Sequence, residues 1–226
     1  MIVILAVILL ACYLVGGVPF GFLIGRARGM DIRQHGSGNI GATNVWRVFG
    51  KKLGLTCFAL DFLKGCLPVL AVQFLTRRAD PALATWGPLV AVLGTVAGHV
   101  WTPYLRFRGG KGIATSAGAV LAVACLPVVG ALLIWVLVVK LTRFVSLASI
   151  SAALALPLAA MLLNQSGYGR YDKPVLLLLL AIGTLAVFRH HSNIRRLLAG
   201  TEPRTNQRPA VTTGDSKPDT TGASKS

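Results

Sequence analysis

Three stretches of this sequence crowd together residue types that can do chemistry: RQHGSGNIGATNVWR (Arg33 to Arg47), GHVWTPYLRFRGGKGIATSAG (Gly98 to Gly118) and RHHSNIRRLLAGTE (Arg189 to Glu202). In the first, Gly36, Gly38 and Gly41 allow backbone N–H groups to converge on an anion. Ser37, Asn39, Thr43 and Asn44 add neutral donors, and Arg47 supplies a planar fork of charge. Such a set suits phosphate oxygens; a flexible loop capped by Asn and Gly is the alternative. In the second, Arg106, Arg108 and Lys111 surround the Gly109–Gly110 pair, and Gly112 opens an apolar helix whose first turns carry Thr115 and Ser116. A glycine turn leading into a helix N-terminus beside basic side chains makes a second anion site, with a basic membrane-edge turn as the alternative. It is not a Walker A loop, because Leu105 stands where Gly is needed and Gly112 where Ser or Thr is needed. In the third, His190, Asn193 and Arg196 recur at three-residue spacing and so share roughly one helical face. Basic residues gripping anionic headgroups would explain Arg195 and Arg196, but not His190 and Asn193.

Smaller features surround these stretches. Asp61 and Lys64 lie at i, i+3 inside an apolar run, where ionised groups are costly unless paired or facing a polar cavity. They read equally as a structural ion pair or as support for a site. His99, near a helix end, reads first as a hydrogen-bonded structural histidine. Thr142, Arg143, Ser146 and Ser149 gather in KLTRFVSLASI, where lipid contact is the alternative to a site role. No Gly-x-Ser-x-Gly elbow and no Cys/His nucleophile pair occurs. Acids near the basic loops are limited to Asp31 and Glu202, too few for a two-metal carboxylate site, and the four histidines lack zinc spacing. No metal and no cofactor is expected. What remains is a site of cations and neutral donors that binds phosphate and stabilises negative charge.

The elements that must position these residues are apolar helices. A chain of 226 residues that is 54% hydrophobic and 13% charged, with apolar runs near 2–25, 53–76, 86–105, 113–140, 145–163 and 173–188, is a polytopic all-α membrane protein. The 23 Lys+Arg against 7 Asp+Glu lie mainly between the runs, so membrane flanks explain the charge better than nucleic acid does. Cys12, Cys57, Cys66 and Cys125 fall in apolar segments without metal or disulfide spacing. The first run has no basic residues before it and carries Arg26 and Arg28 after it, as a retained helix with its N-terminus outside does. Six spans would then leave the basic C-terminal stretch outside. Splitting the run 113–140 at Pro127, into short helices near 113–126 and 128–140, gives seven transmembrane helices and a cytoplasmic C-terminus. That arrangement keeps Arg26 to Lys52, Arg106 to Lys111 and Lys140 to Arg143 on the cytoplasmic side. Residues 1–200 read as one integral membrane domain, and 201–226, rich in Thr, Ser, Pro, Gly and Asp, as a disordered cytoplasmic tail.

GSGNIGATNVWR, GHVWTPYLRFRGGKGIATSAG and HHSNIRRLLAGTE, with DFLKG and TRFVSLASI between them, resemble the bacterial membrane glycerol-3-phosphate acyltransferases that use acyl phosphate, the PlsY family. The resemblance runs in order through nearly the whole chain up to Glu202. It implies a seven-helix enzyme of the bacterial inner membrane with a cytoplasmic active site. The implied reaction moves a fatty acyl group from acyl phosphate to the 1-hydroxyl of sn-glycerol 3-phosphate, giving lysophosphatidic acid and phosphate in the first step of phospholipid synthesis. Implied partners are those two substrates, membrane lipids and, transiently, the soluble enzyme that makes acyl phosphate. By the same resemblance, Ser37, Gly38, Asn39, Thr43, Asn44 and Arg47 hold phosphate and orient the nucleophile; Gly109, Gly110, Lys111 and Gly112 form a clamp; His190 and Asn193 complete the pocket. Ser37, Arg47, Lys111, His190 and Asn193 are the expected catalytic set, with Gly36, Arg108, Thr115 and Ser146 added to the phosphate binders. Asp61, Lys64, His99, Arg143, Arg196 and Glu202 are the expected supports. Arg108 stands where the family commonly has lysine, and the doubled His190–His191 also departs from its usual pattern. A His-x4-Asp pair, the mark of other glycerolipid acyltransferases, is absent: Ile40, Tyr104, Arg195 and Arg196 occupy the positions five after each histidine. The other reading is a transporter or flippase for phosphate esters, which would need access from both faces.

Overall fold

The apolar runs become helices, and proline and glycine decide where those helices break and how closely they pack. The computed structural model describes residues 1–205. All regular structure among them is helical: α1 (Ile2–Gly17), α2 (Phe20–Ala27), α3 (Ala42–Phe49), α4 (Lys51–Thr76), α5 (Pro81–Val100), α6 (Ile113–Leu121), α7 (Cys125–Thr142), α8 (Val145–Gln165), α9 (Lys173–Arg189) and α10 (His191–Leu198). Short 3-10 turns at Ile32–Gln34 and Pro103–Leu105 lie in the two glycine loops.

Among the described residues, five segments are long and apolar enough to cross a membrane: Ile2–Ala27, Lys51–Thr76, Pro81–Leu105, Cys125–Thr142 and Val145–Gln165. The pair α9 and α10, bent by 54°, makes a sixth if it counts as one span. The sequence predicts seven, and the difference is α6. Its nine residues reach only about 14 Å at 1.5 Å per residue, about half of a hydrocarbon core of about 30 Å, which sets it apart from the five longer segments. The run 113–140 does divide in two, but the break falls at 122–124 and not at the proline. Pro127 is instead the third residue of α7, where a helix has no use for the missing N–H. The first apolar run also breaks, at Val18–Pro19, because Pro19 has no N–H to continue the ladder of α1.

Small residues bring the helices together. Gly94 and Gly98 of α5 face α1 so closely that a Cβ on Gly98 would lie 2.1 Å from the Tyr13 carbonyl oxygen. Gly65 of α4 and Gly118 of α6 do the same, with added Cβ atoms 2.2 Å from the Thr115 and 2.1 Å from the Phe62 carbonyl oxygens. The main core, with Val69, Val92, Val96, Val100, Ala119, Val120 and Leu179 at its centre, thus locks α4, α5, α6 and α9. A second cluster of Ile32, Ile40, Val45, Cys57 and Leu105 pins the first glycine loop onto α4. Thr102 Oγ1 donates to the Gly17 carbonyl at 2.7 Å and Tyr13 OH to the Trp101 carbonyl at 2.6 Å, tying the start of the second loop to α1.

Residues 201–205, expected to begin the disordered tail, run back against the helices. Glu202 is buried, and Thr205 N donates to the Arg143 carbonyl at 3.0 Å. The ordered part therefore extends past residue 200, because a carboxylate among arginines is more stable paired than solvated alone. Residues 206–226 of that expected tail lie outside the described residues.

Candidate active site

The first glycine loop is built around Asn44, which opens α3 and is 2% exposed. Its Nδ2 donates to the Ile32, His35 and Asn39 carbonyls at 3.3, 3.0 and 2.9 Å, and its Oδ1 accepts from Ser37 N at 2.8 Å. Every polar atom of that amide is spent on the loop, so Asn44 shapes the backbone and leaves no donor for an anion. Gly38 N is likewise taken by the His35 carbonyl and Gly41 N by Asn39 Oδ1. Two of the three glycine N–H groups of the expected nest, those of Gly38 and Gly41, are thus taken within the loop. Gly36 is needed for shape: its φ is +62° and a Cβ there would meet Asn44 Oδ1 at 2.3 Å. The same architecture leaves the side chains of Ser37 and Thr43 exposed and that of Asn39 half-buried, while Arg47 sits half-buried one turn along α3.

The second loop folds onto the end of α5. Gly109 N donates to the Val100 carbonyl and Gly110 N to the His99 carbonyl, at 3.2 and 3.1 Å. Close approach is the reason for both glycines: a Cβ would lie 1.9 Å from the His99 carbonyl oxygen at 109 and 2.3 Å from His99 Nε2 at 110. Their own carbonyls accept from Arg189 Nη2, at 3.4 Å for Gly109 and 3.1 Å for Gly110. The glycine pair is a hinge pin between α5 and α9, and Lys111, the next residue, is the group it aims. Gly112, with φ +83°, then turns the chain into α6. A cleft of about 400 Å³ lined by Asp31, Arg33, Gln34, Gly38, Ile40, Arg108 and Gly109 lies between the two loops. The Arg33 guanidinium, bonded to both oxygens of Asp31, lowers that carboxyl to about 2.

The third stretch meets the second through Asn193. Lys111 Nζ donates to Asn193 Oδ1, Asn193 Nδ2 donates to Glu202 Oε1 at 2.7 Å, and Arg196 Nε donates to Glu202 Oε2 at 2.7 Å. Asn193 and Arg196, three residues apart on α10, both reach one carboxylate. His190, the residue at the bend between α9 and α10, is 2% exposed, and its Nδ1 lies 2.7 Å from the Ala186 carbonyl. A carbonyl only accepts, so Nδ1 carries the proton and Nε2 is the atom left for a ligand. His191 is exposed, which favours His190 as the histidine of this motif.

Charges gather around Lys111: it lies in the fields of Arg47, Arg189 and Arg196, with the Glu202 carboxylate opposing them. Burial, reinforced by those three arginines, brings the Lys111 ammonium down to about 8. Burial likewise lowers Arg47, against the pull of Glu202. Burial pushes the Glu202 carboxyl up, but the hydrogen bonds from Asn193 and Arg196, with the Ser146 hydroxyl beside them, outweigh it and leave it lowered. A surplus of positive charge beside the Ser146 hydroxyl suits a phosphate dianion.

Among the expected residues, Arg47, Lys111, Ser146, His190, Asn193, Arg196 and Glu202 come together here, and Arg108 lines the neighbouring cleft. Thr115 does not join them. It is fully buried on α6 with Oγ1 3.1 Å from His99 Nδ1, facing the core because that face of α6 packs on α4. Arg143 is exposed and contributes its backbone, as the left-handed cap of α7 that accepts from Thr205. Arg189 was missed by sequence reasoning: at the end of an apolar helix it reads as a lipid anchor. The only available signal was its place directly before the histidine motif.

A family model described as glycerol-3-phosphate acyltransferase matches residues 6–200. The chain belongs to the glycerol-3-phosphate acyltransferase family. Curated members from Desulforamulus reducens and Geobacter sulfurreducens are 43% and 44% identical to it, over 89% and 85% of this chain and 95% and 93% of theirs. One from Aquifex aeolicus is 41% identical over 85% of this chain and 94% of its own. The crystal structure of PlsY, an integral membrane glycerol 3-phosphate acyltransferase, in its glycerol 3-phosphate form matches with a TM-score of 0.79 at 38% identity, covering 88% of this chain and 94% of that one. Its lysophosphatidic acid form matches with a TM-score of 0.76 over the same shares. With its membrane-length helices, this member of the family is an integral membrane protein.

Proposed function

We propose that this chain transfers a fatty acyl group from acyl phosphate to the 1-hydroxyl of sn-glycerol 3-phosphate, the opening step of phospholipid synthesis. The observation that carries the reading is the gathering of Arg47, Arg189 and Arg196 around Lys111, which meets Glu202 through Asn193, beside membrane-length helices. Both substrates and both products carry phosphate, and the acyl chain needs an apolar wall. Glycerol 3-phosphate bound and lysophosphatidic acid bound forms of a 38% identical protein support the acceptor and the product.

In this mechanism the cations hold the phosphates and the chemistry is a direct displacement. The hydroxyl oxygen attacks the acyl carbon, the bond from that carbon to the donor's phosphate oxygen breaks, and the hydroxyl proton leaves with inorganic phosphate. Acyl phosphate is already activated, so no protein nucleophile is required. Lys111 and Arg47 neutralise the leaving phosphate, Ser37 and Thr43 are the exposed hydroxyls at the loop edge, and His190 Nε2 orients the acceptor. We place the site on the cytoplasmic face of a bacterial inner membrane, because the basic loops gather on the side of this cluster. The seven-helix topology counts α6 and α7 as a short hairpin and α9 with α10 as one crossing.

The pH dependence of transfer tests the reading. Lys111 acts in its charged form, and its ammonium is lost as pH rises through about 8. The kcat/KM for glycerol 3-phosphate is therefore expected to fall above that pH by about tenfold per unit. Lys111→Arg, which keeps its charge, is expected to flatten that limb at some cost in rate. Lysophosphatidic acid formation that stays level to pH 10 in the unaltered protein would contradict the role of Lys111, and none at any pH would contradict the function.

A further inference from the structure

A second polar cluster lies inside the helices, away from the phosphate receptor. Lys64 Nζ is 2.7 Å from Asp61 Oδ1 and donates to the Val18 carbonyl at 2.6 Å, at the point where Pro19 breaks the first apolar run. Asp61 Oδ1 is 3.8 Å from His99 Nδ1, which is 3.1 Å from Thr115 Oγ1. Asp61, Lys64, His99 and Thr115 are all less than 7% exposed. Ionisable groups buried in membrane helices are costly and persist where they are paired for a purpose. Here the chain of contacts links α4, α5 and α6 and ends at one place. Gly110 packs against the His99 ring, the His99 carbonyl holds Gly110 N, and Lys111 follows.

We propose that His99, held by Thr115, is a positioning residue for Lys111: it is the surface against which the Gly109–Gly110 turn is pressed, and it sets where the Lys111 ammonium stands. The inference rests on the phosphate-binding role given to Lys111 above. Helix ends drift by fractions of an ångström as neighbouring side chains change, and a turn held only by its own two backbone bonds would drift with them. The ring fills the space behind Gly110, and its bond to Thr115 fixes the ring plane. Asp61 lies 3.8 Å from the ring, beyond hydrogen-bond reach, and its ion pair with Lys64 ties α4 to the Val18 carbonyl beside it.

A double-mutant cycle in lipid nanodiscs tests this. His99→Ala and Thr115→Val are each expected to raise KM for glycerol 3-phosphate and lower kcat, with a combined loss of roughly ten- to hundredfold for His99→Ala, the range for misplacing a positioned group by about 1 Å. Thr115→Val removes only the hydroxyl and guards against an outcome that merely reports misfolding of the alanine variant. In a Lys111→Ala background the same substitutions are expected to cost little more, because the group they position is gone. His99→Asn, which can still reach Thr115 from its amide, is expected to recover part of the loss. Full multiplicative losses on top of Lys111→Ala, or wild-type KM in both His99→Ala and Thr115→Val, would overturn the proposal. An unaltered protein that transfers no acyl group would instead sink the functional reading on which it rests.

Discussion

Replacing Lys111 by alanine is expected to lower acyl transfer by roughly a hundredfold or more, the usual cost of removing one preorganised donor from a developing charge. Three consequences of the geometry combine in that figure. The leaving phosphate loses the one primary ammonium in the cluster. Asn193 Oδ1 loses the donor that faces it, so its amide is left held by Glu202 alone. Two of the three arginines that remain are already engaged, Arg189 by the carbonyls of Gly109 and Gly110 and Arg196 by Glu202. Arg47→Ala is expected to cost a similar factor, since Arg47 is the contribution of the first loop to the same field. Steady-state rates on membrane-inserted protein, with folding checked by thermal unfolding, measure both. Wild-type turnover in either variant would remove that residue from the site.

Gly109→Ala is expected to be as damaging, although it adds a single methyl group and removes no charge. The new Cβ would sit 1.9 Å from the His99 carbonyl oxygen and 2.7 Å from that of Val100. Both are backbone atoms at the end of a packed helix and cannot swing aside. The turn must lift away, the two bonds from Gly109 N and Gly110 N must lengthen, and Lys111 must move with them. Displacement of a positioned group by about 1 Å is enough for a hundredfold loss. Gly130→Ala is the control. On α7 its Cβ would be 3.7 Å from the Ala159 Cβ, an ordinary contact, and a helical Gly→Ala exchange is stabilising by about 1 kcal/mol. That variant is expected to keep full activity, whereas unimpaired activity in Gly109→Ala would show that the turn tolerates displacement.

The parts of this molecule legible from its sequence are those set by local pattern. Apolar runs mark the long helices, though not α3, α10 or the break between α1 and α2, and the three polar stretches contain the residues that the fold gathers around Lys111. Residue type also separated His190 and Asn193 from mere headgroup anchors, because neither is needed to hold lipid. What stayed hidden depends on partners distant in the chain. Nothing near Gly109 announces that its N–H is already taken by Val100, or that Asn44 spends its whole amide on its own loop. A glycine cluster suggests free N–H groups, yet here the glycines serve mainly to let backbone approach backbone. Pro127 looked like a break and proved to be a helix start, since a proline in the first turn and one between helices share a composition. Glu202 was seen as a possible support, but its closing of the Lys111–Asn193–Arg196 cluster appears only when residues 201–205 fold back.

The donor is where the account is most exposed. Detergent-purified protein, without added metal, should be offered radiolabelled glycerol 3-phosphate with either palmitoyl phosphate or palmitoyl-CoA. Labelled lysophosphatidic acid is expected from palmitoyl phosphate and not from palmitoyl-CoA, because the proposed site suits small phosphates and the sequence lacks the His-x4-Asp pair. Product from palmitoyl-CoA alone, or from neither donor, would contradict it.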